Sequence, residues 1–166
     1  MPVASVPAAW AAVAAICGFS CALECSAADK YVGQYGCSSL ASYFYGDPMK
    51  ARMARFAAAD LEKQYSIYIC GNQFREPPAM YFASTFAQGG RSAADYLKSK
   101  LAQTNSDATI RDIINVFVEM QRQGTYQVAK DAALMQEIQA SVDRMKDPDW
   151  KRFVERKVSQ IYDHSQ

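Results

Sequence analysis

The sequence predicts an all-α protein: a small bundle of six or seven short helices, stapled by one disulfide and preceded by an N-terminal signal segment. Three observations carry this expectation. Apolar residues recur at three- and four-residue intervals along most of the chain, the period of a helix and not of a strand. Helix openings and stops punctuate that pattern, with Asp-Pro at 47–48 and 147–148 and glycines at 46, 89–90 and 124. The five cysteines divide into a group of three within the first 28 residues and a later pair, Cys37 and Cys70.

At 166 residues the chain fits one domain plus extras. The expected division is a cleaved signal peptide at 1–28 and a single helical domain at 29–166. Composition is 50% hydrophobic and 21% charged, enough apolar material for a core. Net charge is +1 and the isoelectric point about 7.6, so no global field points to nucleic acid or an anionic membrane.

Residues 1–28 hold no Lys or Arg, and Ala8 to Leu23 are nearly all apolar or small. Glu24 interrupts, and Ser26, Ala27 and Ala28 suit signal-peptidase cleavage after Ala27 or Ala28. The amino terminus supplies the only positive charge there. A retained anchor would want about 20 strongly apolar residues. A lipoprotein would want a leucine three positions before its cysteine, which Cys17, Cys21 and Cys25 lack. The remaining alternative is an intracellular protein with an N-terminal helix. Cys17, Cys21 and Cys25 share one helical face, but a closed zinc site takes four ligands and the only histidine is His164. No metal and no cofactor are expected.

Cys37 and Cys70 then remain as an even pair, which in an exported chain reads as one disulfide. The other reading is two buried thiols in a reducing compartment. Nothing resembles the C-x-x-C of a redox pair.

The elements follow in order. "CSSLASYFYG" reads as a short helix closing at Gly46. Asp47 as N-cap and Pro48 at the first turn open a helix that continues to about Cys70, with Met49, Met53, Phe56, Ala57, Leu61 and Tyr68 on one side. It stops at Gly71-Asn72; residues 66–70 also read as a short strand. Residues 78–88 form a short helix ended by Gly89-Gly90. Ser92 to Asp95 has the form of a capping box and opens a helix to about Gln103. Ser106 or Asp107 caps the strongest segment, whose stripe is Ile110, Ile113, Ile114, Phe117, Val118 and Met120, and Gly124 stands where a C′ glycine belongs. Residues 126–146 carry Val128, Leu134, Met135, Ile138, Val142 and Met145. The last helix begins at the second Asp-Pro and turns Trp150, Phe153, Val154, Val158 and Ile161 to one face.

Catalytic signatures are missing from this pattern. A lone His164 beside the terminus cannot serve a nucleophile, and no nucleophile elbow, zinc-protease motif, phosphate loop or dinucleotide fingerprint occurs. A carboxylate-pair hydrolase would draw on Asp60, Glu62, Glu76 or Glu119. These acids read more simply as solvated faces and caps, with Glu119 paired to Arg122 or Lys130. Arg144, Lys146, Lys151, Arg152, Arg156 and Lys157 interleave with acids and read as a salt-bridged face.

Tyrosines crowd around the two cysteines. Tyr31, Tyr35, Tyr43, Tyr45, Tyr65 and Tyr68 form the candidate recognition surface, because tyrosine offers large contact area with a polar tip. The competing reading is packing around the disulfide.

The expected function is that of an exported, periplasmic or secreted binding protein acting through a protein partner in the cell envelope. No nucleic acid and no membrane span of the mature chain are expected, and the oligomeric state is not legible. In outline, a signal segment followed by a small disulfide-stapled helical domain, the chain is similar to periplasmic immunity proteins that block cell-wall-degrading effectors, and to small periplasmic chaperones. That resemblance is one of architecture and transfers no functional residues. An immunity-type inhibitor, or a carboxylate-dependent envelope hydrolase, is the alternative.

Overall fold

The computed structural model describes residues 37–44 and 46–163. Among them are seven α-helices, two short 3-10 helices and no strand. The α-helices are α1 (Met49–Ala57), α2 (Leu61–Gln73), α3 (Phe82–Ala87), α4 (Gly90–Gln103), α5 (Asp107–Gln123), α6 (Ala132–Asp143) and α7 (Pro148–Asp163). The 3-10 helices span Cys37–Tyr43 and Val128–Lys130. The expected signal segment, with Cys17, Cys21 and Cys25, lies outside the described residues, as does His164.

The long helix expected after Pro48 is two helices. The chain leaves α1 at Ala58 and re-enters a helix at Leu61, where the Asp60 carboxylate accepts from Lys63 N at 2.8 Å. The Gln64 side chain fixes the corner by donating to the carbonyls of Ala57 and Ala59. Asp47 does not cap α1; its carboxylate pairs with Arg55 at 2.8 Å. Residues 66–70 are helical, and α2 runs past Gly71 because a bare Cα is needed there. A Cβ on Gly71 would meet the Ala79 side chain at 2.7 Å and the Phe44 ring at 2.8 Å.

Ser92 does not cap α4, which already begins at Gly90. Ser106 caps α5 by accepting from Thr109 N. Gly124 closes α5 in the left-handed region at φ 69°, which only glycine enters without strain. Asp131 caps α6 through Leu134 N.

Helix α5 is the axis of the protein. It packs on α7, α3, α4, α2 and α6, so nearly all of its circumference is buried. Ile110, Ile113, Ile114, Phe117 and Met120 are inaccessible to solvent, as the stripe predicts. Phe56, Phe82 and Phe86 stack beside it, with the Phe56 and Phe82 rings 4.4 Å apart. The buried apolar residues form one cluster that extends from Leu40 to Ile161. Cys37 and Cys70 are joined by a disulfide with their Cα atoms 5.5 Å apart, which fastens the first 3-10 helix to α2.

Candidate functional site

Three of the buried polar residues, Asn72, Thr109 and Asp112, gather where the end of α2 faces the start of α5. Thr109 and Asp112 stand on successive turns of α5, on the side that faces α2, and both are fully buried. Gln73, at the end of α2, donates to Thr109 Oγ1 at 3.1 Å and to Asp112 Oδ2 at 3.2 Å. The buried Tyr68 hydroxyl donates to the Asp112 backbone carbonyl at 3.0 Å and accepts a long contact from Asn115. Burial, then the nearby Asp112 charge, pushes the Tyr68 hydroxyl far above its usual pKa. Asn72 is 5% exposed, and neither polar atom of its amide has a partner of hydrogen-bonding geometry.

Asp112 is the charged end of this cluster. Burial raises its pKa to about 6, against the opposing pull of Arg111 and the Gln73 hydrogen bond. Arg111 pairs with Asp112 Oδ1 at 2.6 Å, and its guanidinium lies 4.6 Å from the centre of the Trp150 ring. One cation therefore joins a buried carboxylate to an aromatic ring at the surface.

Two aspartates hold that ring in place. The Asp107 carboxylate, in the first turn of α5, accepts from the backbone N–H groups of Lys146 and Asp147. Asp147 in turn accepts from Asp149 N and Trp150 N, capping α7. Helix α7 buries Val154 and Ile161 against α5, while Trp150 and Phe153, expected on the same apolar face, remain 37% and 36% exposed. They lie on the flank of the apolar stripe, and their rings meet edge to face at 6.0 Å. Arg156 and Lys157 stand about 6 Å from the Phe153 ring, at 6.0 and 5.9 Å.

The tyrosines are placed differently from the expected surface. Tyr68 is wholly buried and Tyr65 is 7% exposed, so neither presents a face to a partner. Their burial follows from α2, which is covered by the first 3-10 helix, α1, α3 and α5. Tyr43 is half-buried, with the cations of Arg55 and Lys63 over its ring. Tyr31, Tyr35 and Tyr45 lie outside the described residues. Trp150 and Phe153 are the part of the expected apolar face of the last helix that stays exposed.

The candidate acids do not face one another. Asp60 caps α2, and Glu62 accepts from Tyr96 at 2.5 Å and pairs with Lys100 at 3.1 Å. Glu76 is exposed in the loop before α3. Burial raises the Glu119 pKa, but hydrogen bonds from Arg122 and Gln123 outweigh it and hold the carboxyl below its usual range. No group of three or more His, Cys, Asp or Glu is placed to hold a metal among the described residues, and no described helix is long and apolar enough to cross a membrane.

A cavity of about 610 Å³ opens between the start of α4 and the start of α6. Its lining is polar and engaged within the protein: Arg91 lies over the Tyr126 ring, and the Tyr126 hydroxyl donates to the Asp131 carboxylate. No protein-family model, curated protein or solved structure matches this chain.

Proposed function

We propose that the chain is a small exported helical binding protein that acts through a protein partner in the cell envelope. The observation that supports this most directly is the exposed Trp150–Phe153 pair, presented on a rigidly capped helix and overlaid by cations. Tryptophan and arginine are the residues most often found at the energetic centre of protein interfaces. The Cys37–Cys70 bridge supports an oxidising compartment, because a cytosolic poise would reduce it. The signal-like segment at 1–28 agrees with export.

The test begins with the protein recovered from its source cells. Intact mass, with and without reduction before alkylation, is expected to show a chain beginning at Ala28 or Asp29 and two thiols that alkylate only after reduction. Native size separation of the envelope fraction is expected to place it in a complex heavier than the chain alone. A full-length chain with free thiols, eluting alone, would overturn the proposal.

A further inference from the structure

We infer that Arg111 is a pH-sensitive latch between α5 and the start of α7. With Asp112 ionised, its guanidinium is drawn inward and holds the Trp150 ring; with Asp112 protonated, it passes to Asp107 and the start of α7 loosens. The inference goes beyond the binding-protein reading above and does not rest on it.

The structure supplies two carboxylates for one cation. Arg111 pairs with Asp112 Oδ1 at 2.6 Å, its own side chain only 14% exposed and that of Asp112 wholly buried. Held there, its guanidinium lies 4.6 Å from the centre of the Trp150 ring, a favourable place for a cation. Asp107 stands one turn earlier on α5, and an acid four residues before a base is the better order for a helical ion pair. Its carboxylate now accepts from the backbone N–H groups of Lys146 and Asp147. The start of α7 is thus tied to α5 by Arg111 and by Asp107, and both ties depend on which carboxylate Arg111 uses.

Asp112 sets that choice. Burial raises its pKa to about 6 against the pull of Arg111, so its charge is lost in mildly acidic solution. Charge-assisted hydrogen bonds are about twice as strong as neutral ones, and protonation gives up that difference. A largely buried guanidinium without a counter-charge is costly, which drives Arg111 to Asp107. There it competes with the two N–H groups and leaves the ring. Val154, Ile161 and the Asp147 cap still hold the rest of α7.

The other groups around α5 leave this choice to Asp112. From α2, Asp112 meets the uncharged Gln73 and the Tyr68 hydroxyl, which burial keeps neutral. Helix α3 has no titratable residue. On α4, Tyr96 and Lys100 engage Glu62, Lys98 acts on Asp131, and Arg91 and Asp95 act on Tyr126. On α6, Glu137 pairs with Arg144 and Asp143 with Lys151, and Lys130 lines the cavity beside that helix. At the start of α7, Asp147 caps the helix and Asp149 pairs with Arg152, while Arg156 and Lys157 stand at Phe153. Glu119, further along α5, pairs with Arg122.

The test is an NMR titration of the isotope-labelled, oxidised full chain from about pH 8 to 5. It follows the Asp112 carboxyl carbon, the Trp150 indole N–H, and the backbone amides of Lys146, Asp147 and Trp150. The expected result is one joint transition of the carboxyl, the indole and the Lys146 and Asp147 amides, centred at about pH 6. The Trp150 amide, held by the Asp147 cap, should move least. D112N is expected to show the low-pH signals throughout, and R111M to lose the transition at the indole and the two amides. H164Q, which removes the only histidine, should titrate as the natural chain does.

An Asp112 carboxyl that titrates while the indole and amides stay fixed would overturn the latch. So would an Asp112 carboxyl with no transition in that range, the same indole transition in D112N, or its loss in H164Q. If thermal melts show D112N or R111M unfolded, the joint titration of the natural chain and of H164Q decides alone. None of these outcomes touches the binding-protein reading.

Discussion

Asp112 keeps a carboxylate where no solvent reaches it, and that has a consequence for stability. An unfolded aspartate titrates at about pH 3.9, and burial raises the folded one to about 6. Between those values the native state holds the proton more tightly than the unfolded chain. Stability from this residue is therefore present below about pH 4 and is lost as pH rises through 6, by about 3 kcal/mol in all. Glu62, Glu119 and Asp131, with lowered pKa values, act in the opposite direction, so the comparison must be with a variant. In Asp112→Asn the difference from the natural protein should change by that order between pH 4 and 7 in denaturant melts. A pH-independent difference would mean that Asp112 does not titrate in this range. A second residue offers a gain. Asn72 buries both polar atoms of its amide with none in good hydrogen-bonding geometry, a polar neighbour being the Tyr68 hydroxyl, whose pKa, raised by burial, it pulls down; the deficit is about 1–3 kcal/mol. Asn72→Leu is expected to raise the denaturant midpoint, and a lower midpoint would mean that the added methyl groups overpack the site. Neither residue was legible as part of a site. The apolar stripe of α5 is visible from its own period, but Asp112 becomes notable only when Gln73 and Tyr68 arrive from α2. Glu119, between Val118 and Met120, pairs with Arg122, one of the two partners its spacing offers.

At the scale of elements, most helices are visible in the sequence, and the break between α1 and α2 is hidden for an identifiable reason. Ala57, Ala58 and Ala59 give no contrast between apolar and polar positions, so the helical pattern passes through the corner between α1 and α2 unbroken. The corner is set by Asp60 and by Gln64 reaching back to two carbonyls. Ser106 and Asp107 both fit a cap of α5. Ser106 fills that role, which frees Asp107 to hold the start of α7 through three hydrogen bonds to two backbone N–H groups. Asp107→Ala should cost about 1–2 kcal/mol, the range of a lost cap. It should also change Trp150 fluorescence, since α7 loses its tie to α5 next to that ring. A stability loss with unchanged emission would show that the Asp147 cap alone positions Trp150. The exposure of Trp150 and Phe153 was not legible either. A helical wheel gives the direction of a stripe, but its usable width depends on how far the neighbouring helix extends, and α5 covers only the part of the stripe centred on Val154 and Ile161.

For the molecule as a whole, the disulfide ties the first 3-10 helix to α2, the helix on which it packs. The first 3-10 helix and the turn that follows it contribute Cys37, Leu40 and Phe44 to the common core, and the helix packs mainly on α2, so its apolar contribution is small. The bridge closes a loop with a sequence separation of 33 residues. The loop-entropy account gives about 3–4 kcal/mol for a loop of that size, acting mainly by restricting the unfolded chain. Helix α5 meets the bridge only through α2, and α5 and α7 retain their packing on each other and their own caps. The oxidised protein should therefore melt roughly 10 °C above both the reduced protein and a Cys37→Ala/Cys70→Ala variant. The variant should stay folded at 25 °C, with Trp150 emission unchanged. Its guanidinium slope should be slightly steeper, because an unfolded chain without the bridge exposes more surface. Equal melting of all three would mean that the 3-10 helix is held by its apolar contacts alone. Loss of the whole fold on reduction would mean that the bridge supports the α5–α7 pair through α2.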